Sequence, residues 1–127
     1  MTGARQALGK EGEAAARAYL ARQGVQVIAQ NYSCAAGEVD LIGRQGQVLV
    51  FAEVKTRASG AFGPPQLAVH RKKQQQIVRA AQWFLAERGF TEVACRFDVV
   101  AVTVAAGAAP KIDWVQDAFP AEGVAVW

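Results

Sequence analysis

Histidine and cysteine are nearly missing from this chain, and their scarcity removes whole classes of chemistry before any motif is read. One histidine, His70, and two cysteines, Cys34 and Cys95, are scattered over 127 residues with no C-x-x-C pair. A structural zinc site draws about four nitrogen or sulfur ligands at short spacings, so zinc is not expected. The two thiols read as reduced, buried or half-buried cysteines of a cytoplasmic protein, with a disulfide left open. Long apolar runs are absent as well. The longest, Val99 to Ala109, is broken by Thr103 and Gly107 and is too short to cross a bilayer. The first twenty residues hold Arg5, Lys10, Glu11, Glu13 and Arg17 and no apolar block, so no secretory signal is expected. No repeat, linker or low-complexity tract appears. Neither a membrane nor a small-molecule cofactor is implied.

What is present is the composition of a globular α/β protein. Hydrophobic residues make up 52% and charged residues 20%, enough for a proper core in one domain over 1–127. The core is expected over about 9–115, with 118–127 as a C-terminal tail. Net charge is +3, but it is unevenly placed. From Arg44 to Arg79 seven basic residues face one acid, Glu53, giving +6 there and −3 for the rest. Such a cluster suits a polyanion, although a solvated basic helix face has the same composition.

The pattern predicts a first helix over 4–23, with Leu8, Ala15, Ala18 and Tyr19 inward and Gly24 as its stop. A strand follows over 25–32, then a loop over 31–37. Strands over 38–43 and 47–57 enclose the turn-rich Gly43-Arg44-Gln45-Gly46 and read as a hairpin. Ala58 to Pro65, with Gly60, Gly63 and Pro64, is a breaker segment expected near the site. A second helix is expected over 66–88, closed by Gly89, with Ile77, Ala81, Phe84 and Leu85 inward. Its first turns carry Arg71, Lys72 and Lys73, cations that work against the helix dipole and that a bound phosphate would balance. Strands over 93–104 and 111–115 complete the order αβββαβ(β), a mixed central sheet with flanking helices.

The hairpin holds the candidate chemistry. On a strand Glu38 and Asp40 share one face, as do Glu53 and Lys55. If Asp40 lies opposite Phe51 or Glu53, all four charged groups point the same way, whereas a one-residue slip separates the pairs. Opposed Cβ atoms are about 5 Å apart, close enough for two carboxylates to repel and for one to take a proton. A hard divalent cation, Mg2+ or Mn2+, resolves that repulsion. Held by one or two carboxylates it keeps several waters, and a neighbouring lysine can position one of them or balance developing charge. That is chemistry suited to phosphodiester hydrolysis. Solvated strand-end charges have the same local pattern, and it is the combination with Asp40 and the apolar run Val48 to Ala52 that favours the site.

Taken together, several segments resemble the restriction-endonuclease-like, or PD-(D/E)xK, nuclease superfamily. They are Gly9-Lys10-Glu11-Gly12-Glu13 followed by Ala18-Tyr19-Leu20, Gly37-Glu38-Val39-Asp40-Leu41-Ile42, Val50 to Arg57, and Arg96-Phe97-Asp98-Val99-Val100. Within that superfamily the chain is similar to the YraN-like family, itself similar to archaeal Holliday-junction resolvases. The resemblance spans about Gly9 to Val104. It implies a restriction-endonuclease-like core, and Asp40, Glu53 and the Val54 carbonyl as metal ligands. Lys55 would be the catalytic lysine, Glu13 a first-helix acid near the metal, and Glu38 an outer ligand or second-metal contact. Gln74 or Gln75 would be a polar helix residue facing the site. The superfamily proline is absent, Val39 standing before Asp40. The function implied is a metal-dependent nuclease acting on structured or branched DNA in recombination or repair. The alternatives are a non-catalytic nucleic-acid-binding or assembly module on the same fold, or a nuclease directed at RNA.

Nucleic acid would be gripped by Arg57, Arg71, Lys72, Lys73, Gln74 and Gln75, with affinity falling as salt rises. Arg96 and Asp98 share a strand face and read as a structural pair linking strand to helix, with a buttress to the site or a phosphate contact as the alternative. His70 reads as a surface or DNA-contact residue. The tryptophans Trp83, Trp114 and Trp127 default to core or interface packing. A homodimer is compatible with two symmetric cuts, and the apolar end to Trp127 offers an interface.

Overall fold

A computed structural model describes residues 2–58 and 63–121, with side chains described except at 2–8, 66 and 67. The expectations for Leu8, for Gly60 and for the tail interface at Trp127 therefore lie outside the described residues. Five strands form one mixed sheet in the order β1-β2-β3-β4-β5: β1 is Gln26–Cys34, β2 Gly37–Gln45, β3 Val48–Ala58, β4 Ala94–Val104 and β5 Lys111–Val115. Helix α1, Thr2–Arg22, precedes the sheet, and α2, Arg71–Arg88, connects β3 to β4. That crossover makes β3 and β4 parallel, while the other neighbours are antiparallel hairpins. The expected αβββαβ(β) order is the observed one.

The two helices cover opposite faces, and alternation along the central strand decides which residues meet each. Phe51 packs with Ile77, Ala81 and Phe84 of α2. Its neighbour Ala52 packs with Ala16 and Leu20 of α1. The α2 side is built on rings: Phe51 lies edge-on to Phe84 at 6.1 Å and stacks on Phe97 at 5.6 Å, and Phe97 stacks on Phe119. On the α1 side Gly12 is needed, because a Cβ there would run into Thr56 of β3. That close approach fixes the helix against the sheet.

Both helices end as the glycines at 24 and 89 foretell. Gly24 and Gly89 take left-handed φ values of 90° and 69°. In each case the next residue donates back five positions, Val25 N–H to Leu20 and Phe90 N–H to Leu85, both 2.9 Å.

Three boundaries and one helix face differ from the sequence reading; β2 runs on through the expected turn to Gln45. β1 runs on through the expected loop to Cys34, since Cys34 pairs with Gly37 around a two-residue turn. Gln30, Asn31 and Ser33 are exposed there, and polar residues on an open edge strand mimic loop composition. The second helix begins at Arg71 rather than 66: Pro65–Ala68 is a separate 3-10 turn, and His70 is an extended N-cap whose side chain makes no capping bond. The inward stripe of α1 is Ala16 and Leu20, with Ala15 and Tyr19 half-buried and Ala18 exposed. The Gly12 contact rotates the helix to that side. Cys34 and Cys95 are free and half-buried. Among the described residues no helix is long and apolar enough to cross a membrane.

Candidate active site

The β2–β3 register runs from Gln45↔Val48 to Leu41↔Ala52. One further step sets Asp40 across from Glu53, but the ladder has stopped there. In its place Asp40 Oδ2 accepts the backbone N–H of Val54 at 2.8 Å. A carboxylate thus substitutes for a strand carbonyl and wedges β2 and β3 apart. Within a strand a residue's carbonyl points to the same side as its N–H, so the Val54 carbonyl also faces this opening.

Glu53 sits on the α2 side, two residues after the fully buried Phe51, and is itself only 5% exposed. Burial pushes its carboxyl up to about 8. The Asp40 charge and a hydrogen bond to Asp40 act in the same direction, while Lys73 and then Lys55 pull it back. Both ammonium groups stand 3.9 Å from Glu53 Oε2, and Oε1 is buried with no partner. Ion pairs this long, with the lysines over a third exposed, do not offset the desolvation of a buried anion. Burial thus holds Glu53 toward its protonated form, and a cation at the carboxylates would oppose that.

Glu38 falls elsewhere. Asn31 of β1 adopts a left-handed φ of 52° at the step flanked by Gln30↔Leu41 and Tyr32↔Val39, beside Asp40. Alternation breaks at that step: Val39 joins the α2-side core, yet Leu41 joins the α1-side core. Gly37 lies against Gln76 of α2, so Glu38, between Gly37 and Val39, faces α1. The expectation that all four charged groups share a face is corrected accordingly. Glu53 and Lys55 face α2, Glu38 faces α1, and Asp40 lies at the break between them.

Glu13 is on the α1 side with Glu38. Its carboxyl is raised by burial first, then by Asp40 and weakly by Glu38, against a lowering bond from the Asn31 side chain. Glu13 also lines a cleft of about 500 Å3 between α1 and β1, with Lys10, Arg17, Gln30 and Asn31. The Asp40 charge helps to raise both Glu13 and Glu53.

The expected binding residues separate into three sets. Lys73 belongs to the Glu53 pocket. Arg57 is engaged in the fold, donating to Thr103 Oγ1 at 3.3 Å and the Gly63 carbonyl at 3.2 Å, and pairing with Asp113 at 3.7 Å. Arg71 and Lys72 are exposed. Gln74 spends its amide on the Val69 carbonyl at 2.9 Å, and Gln75 lines a small groove with Arg71, Val78 and Pro120. The glutamine that reaches β2 is Gln76, half-buried against Gly37. Its spacing of three from Lys73, one helical turn, is the signal that selects it. Asp98 is the other buried acid, and it is fully satisfied. Arg96 donates to it twice, the Trp114 indole once and the Asp117 N–H once, each at 2.9 Å. The pair is structural as expected, but it ties β4 to β5 and the turn after it rather than strand to helix.

Among the described residues, no three His, Cys, Asp or Glu side chains gather closely enough to hold a metal together. Asp40 and Glu53 do meet, and strand geometry turns the Val54 carbonyl toward the same opening. They fit a hard divalent ion: two crowded carboxylates, one with an orphaned oxygen, lose their mutual repulsion to a cation.

The protein is thus a mixed α/β sheet protein with a buried glutamate, a half-buried aspartate and two lysines at a splayed strand junction. Residues 12–102 match the model described as uncharacterised protein family UPF0102, and the chain belongs to that family. It is similar to a UPF0102 protein of Geobacter sulfurreducens, 46% identical over 112 residues, 88% of each chain. A UPF0102 protein of Anaeromyxobacter dehalogenans is 46% identical over 119 residues, 94% of this chain and 88% of that one. One from Moorella thermoacetica is 46% identical over 102 residues, 80% and 85% respectively.

Proposed function

We propose that this chain is a Mg2+- or Mn2+-dependent nuclease of the restriction-endonuclease-like superfamily, hydrolysing phosphodiester bonds in structured or branched DNA during recombination or repair in the cytoplasm. One observation carries the reading: a nearly fully buried Glu53 with an unpartnered oxygen, set against Asp40 and flanked by two lysines. A fold rarely strands a carboxylate like this unless something else completes it.

Asp40, Glu53 and the Val54 carbonyl would hold the ion. When bound, it would polarise the scissile phosphate and make a water acidic enough to attack. Asp40 keeps one oxygen on the Val54 N–H, which orients its other oxygen toward the opening. Lys55, 39% exposed at its side chain, can reach a water or a phosphoryl oxygen while its charge balances Glu53. Lys73 holds Glu53 from the α2 side. Arg71 and Lys72 extend positive charge along the approach. Glu13 and Glu38 lie across the sheet, and the Asp40 charge helps to raise the Glu13 carboxyl there.

A metal-dependent cleavage assay over branched, flapped, nicked and single-stranded DNA tests the reading. Cleavage should need Mg2+ or Mn2+ and vanish in Asp40→Ala, Glu53→Ala and Lys55→Ala, with DNA binding largely kept. Equal cutting by Asp40→Ala defeats it. The second reading, a nucleic-acid-binding module without catalysis, draws on the absence of a third acidic ligand among the described residues. It predicts DNA binding without a divalent-ion requirement and no heat of ion binding at millimolar concentrations.

A further inference from the structure

We propose that the outward face of α2 is a rail for single-stranded nucleic acid, with Lys72 and Arg79 on backbone phosphates and the Trp83 indole stacked on an unpaired base. The proposal rests on the nuclease reading and narrows it: the substrate carries a single-stranded arm or gap that leads away from the carboxylate pair.

Trp83 is the observation that calls for an occupant. It is 49% exposed, the large hydrophobic side chain that the described surface leaves open. Trp114, by contrast, is held by its bond to Asp98. Lys72, Arg79 and Trp83 stand at i, i+7 and i+11, so they form one stripe, on the side away from the buried Ile77, Ala81 and Phe84. All three are exposed. Among the described residues neither Lys72 nor Arg79 forms an ion pair. The stripe starts at the same end of α2 as Lys73, which reaches Glu53 from a neighbouring face of the helix. From Lys72 to Trp83 the helix rises about 16 Å, a run of about four or five nucleotides at about 3.4 Å each.

The chemistry selects among occupants. Two unpaired cations and a helix with no acid in its first turn favour a polyanion. An open indole favours a flat aromatic face, which a duplex hides and a single strand presents. Beside Trp83 a shallow depression of about 520 Å3, lined also by Gln82, Ala86 and Glu87, leaves room for a base. Glu87 already accepts the Tyr32 hydroxyl at 2.9 Å, and a neutral base tolerates it where a phosphate would not. The order along the helix follows: phosphates at the Lys72–Arg79 end, a base at the Trp83 end.

The test uses the full chain without divalent ions, so that nothing is cut. An oligothymidylate, the same oligomer carrying abasic positions, and a blunt duplex are titrated, following anisotropy and tryptophan fluorescence. Wild type should bind oligothymidylate with quenching. Trp83→Ala should weaken that binding roughly 5- to 150-fold and lose most of the quench. It should leave the duplex and the abasic strand unaffected, and Trp83→Phe should restore part of the affinity. Lys72→Ala with Arg79→Ala should weaken all three ligands and lower the single-strand salt slope by about 1.4.

Unchanged oligothymidylate affinity in Trp83→Ala overturns the rail, as does an equal loss on the abasic strand. So does light scattering in which Trp83→Ala merely turns a dimer into a monomer, which would make this face an interface between copies. Because no cleavage is read, a chain that never cuts DNA can still show the pattern, and a chain that cuts can fail it.

Discussion

Glu53→Gln should make the metal-free protein more stable at alkaline pH, an unusual result for a change in a proposed active site. The substitution keeps the shape and removes the charge. In the folded chain the Glu53 carboxyl is raised from 4.5 to about 8, chiefly by burial. Below pH 4.5 it is protonated in folded and unfolded chains alike and costs nothing. Between pH 4.5 and about 8 unfolding releases the proton, so stability falls as pH rises. Above about 8 the penalty is complete. At about 1.4 kcal/mol per pH unit, that separation amounts to a cost on the order of 5 kcal/mol. Urea unfolding of both proteins from about pH 5 to about pH 9 reads it directly. Wild type should lose stability across that range, and the Glu53→Gln protein should lose far less.

Magnesium sharpens the comparison. An ion bound between Asp40 and Glu53 should stabilise wild type by about 2.7 kcal/mol at a hundred times its Kd, and the variant much less. At neutral pH its uptake should expel about one proton, measurable by calorimetry in buffers of different ionisation heat. Parallel pH profiles for the two proteins, or equal stabilisation by the ion, would refute the picture of a protonated Glu53 awaiting a cation.

Two further outcomes test the frame around the site. Asp98→Ala should cost about 3–5 kcal/mol in urea unfolding, because Arg96 is left half-buried without its partner and the Trp114 and Asp117 donors lose theirs. Gly12→Ala should cost about 1–3 kcal/mol by driving a methyl into Thr56, and Thr56→Gly in the same chain should recover part of it, a coupling a double-mutant cycle will show.

Much of this arrangement was readable as arithmetic on the chain. The hairpin was readable, with Asp40 left opposite Phe51 or Glu53; the turn falls later than the expected 43–46, setting Gln45 against Val48, and counting back from there brings Asp40 to Glu53. Gly24 and Gly89 marked both helix ends because the left-handed φ there suits glycine. What could not be counted was the loss of alternation at Asn31 and Asp40. A left-handed asparagine is a conformational choice with no periodic trace, and it sends Glu38 to the opposite face from Glu53. Lys73 was legible as a cation but not as a partner of Glu53, since that contact depends on where α2 begins. His70 ends the extended segment one residue before it, and nothing in the 66–70 composition announces the 3-10 turn. Arg57 looked like a free cation because its acceptors, Thr103, Gly63 and Asp113, come from three other parts of the chain.

The irregular step at Asn31 also shapes how the molecule can assemble. β1 is an outer strand, and its open side would ordinarily invite a foreign strand to zip along it. The pairing shift between Val27 and Ala29 and the reversed backbone at Asn31 break that row of donors and acceptors into short pieces. Few consecutive bonds are then on offer to an incoming chain. Sheet-to-sheet fusion along this border is disfavoured, which leaves β5 as the edge of the sheet with an unbroken row of backbone groups.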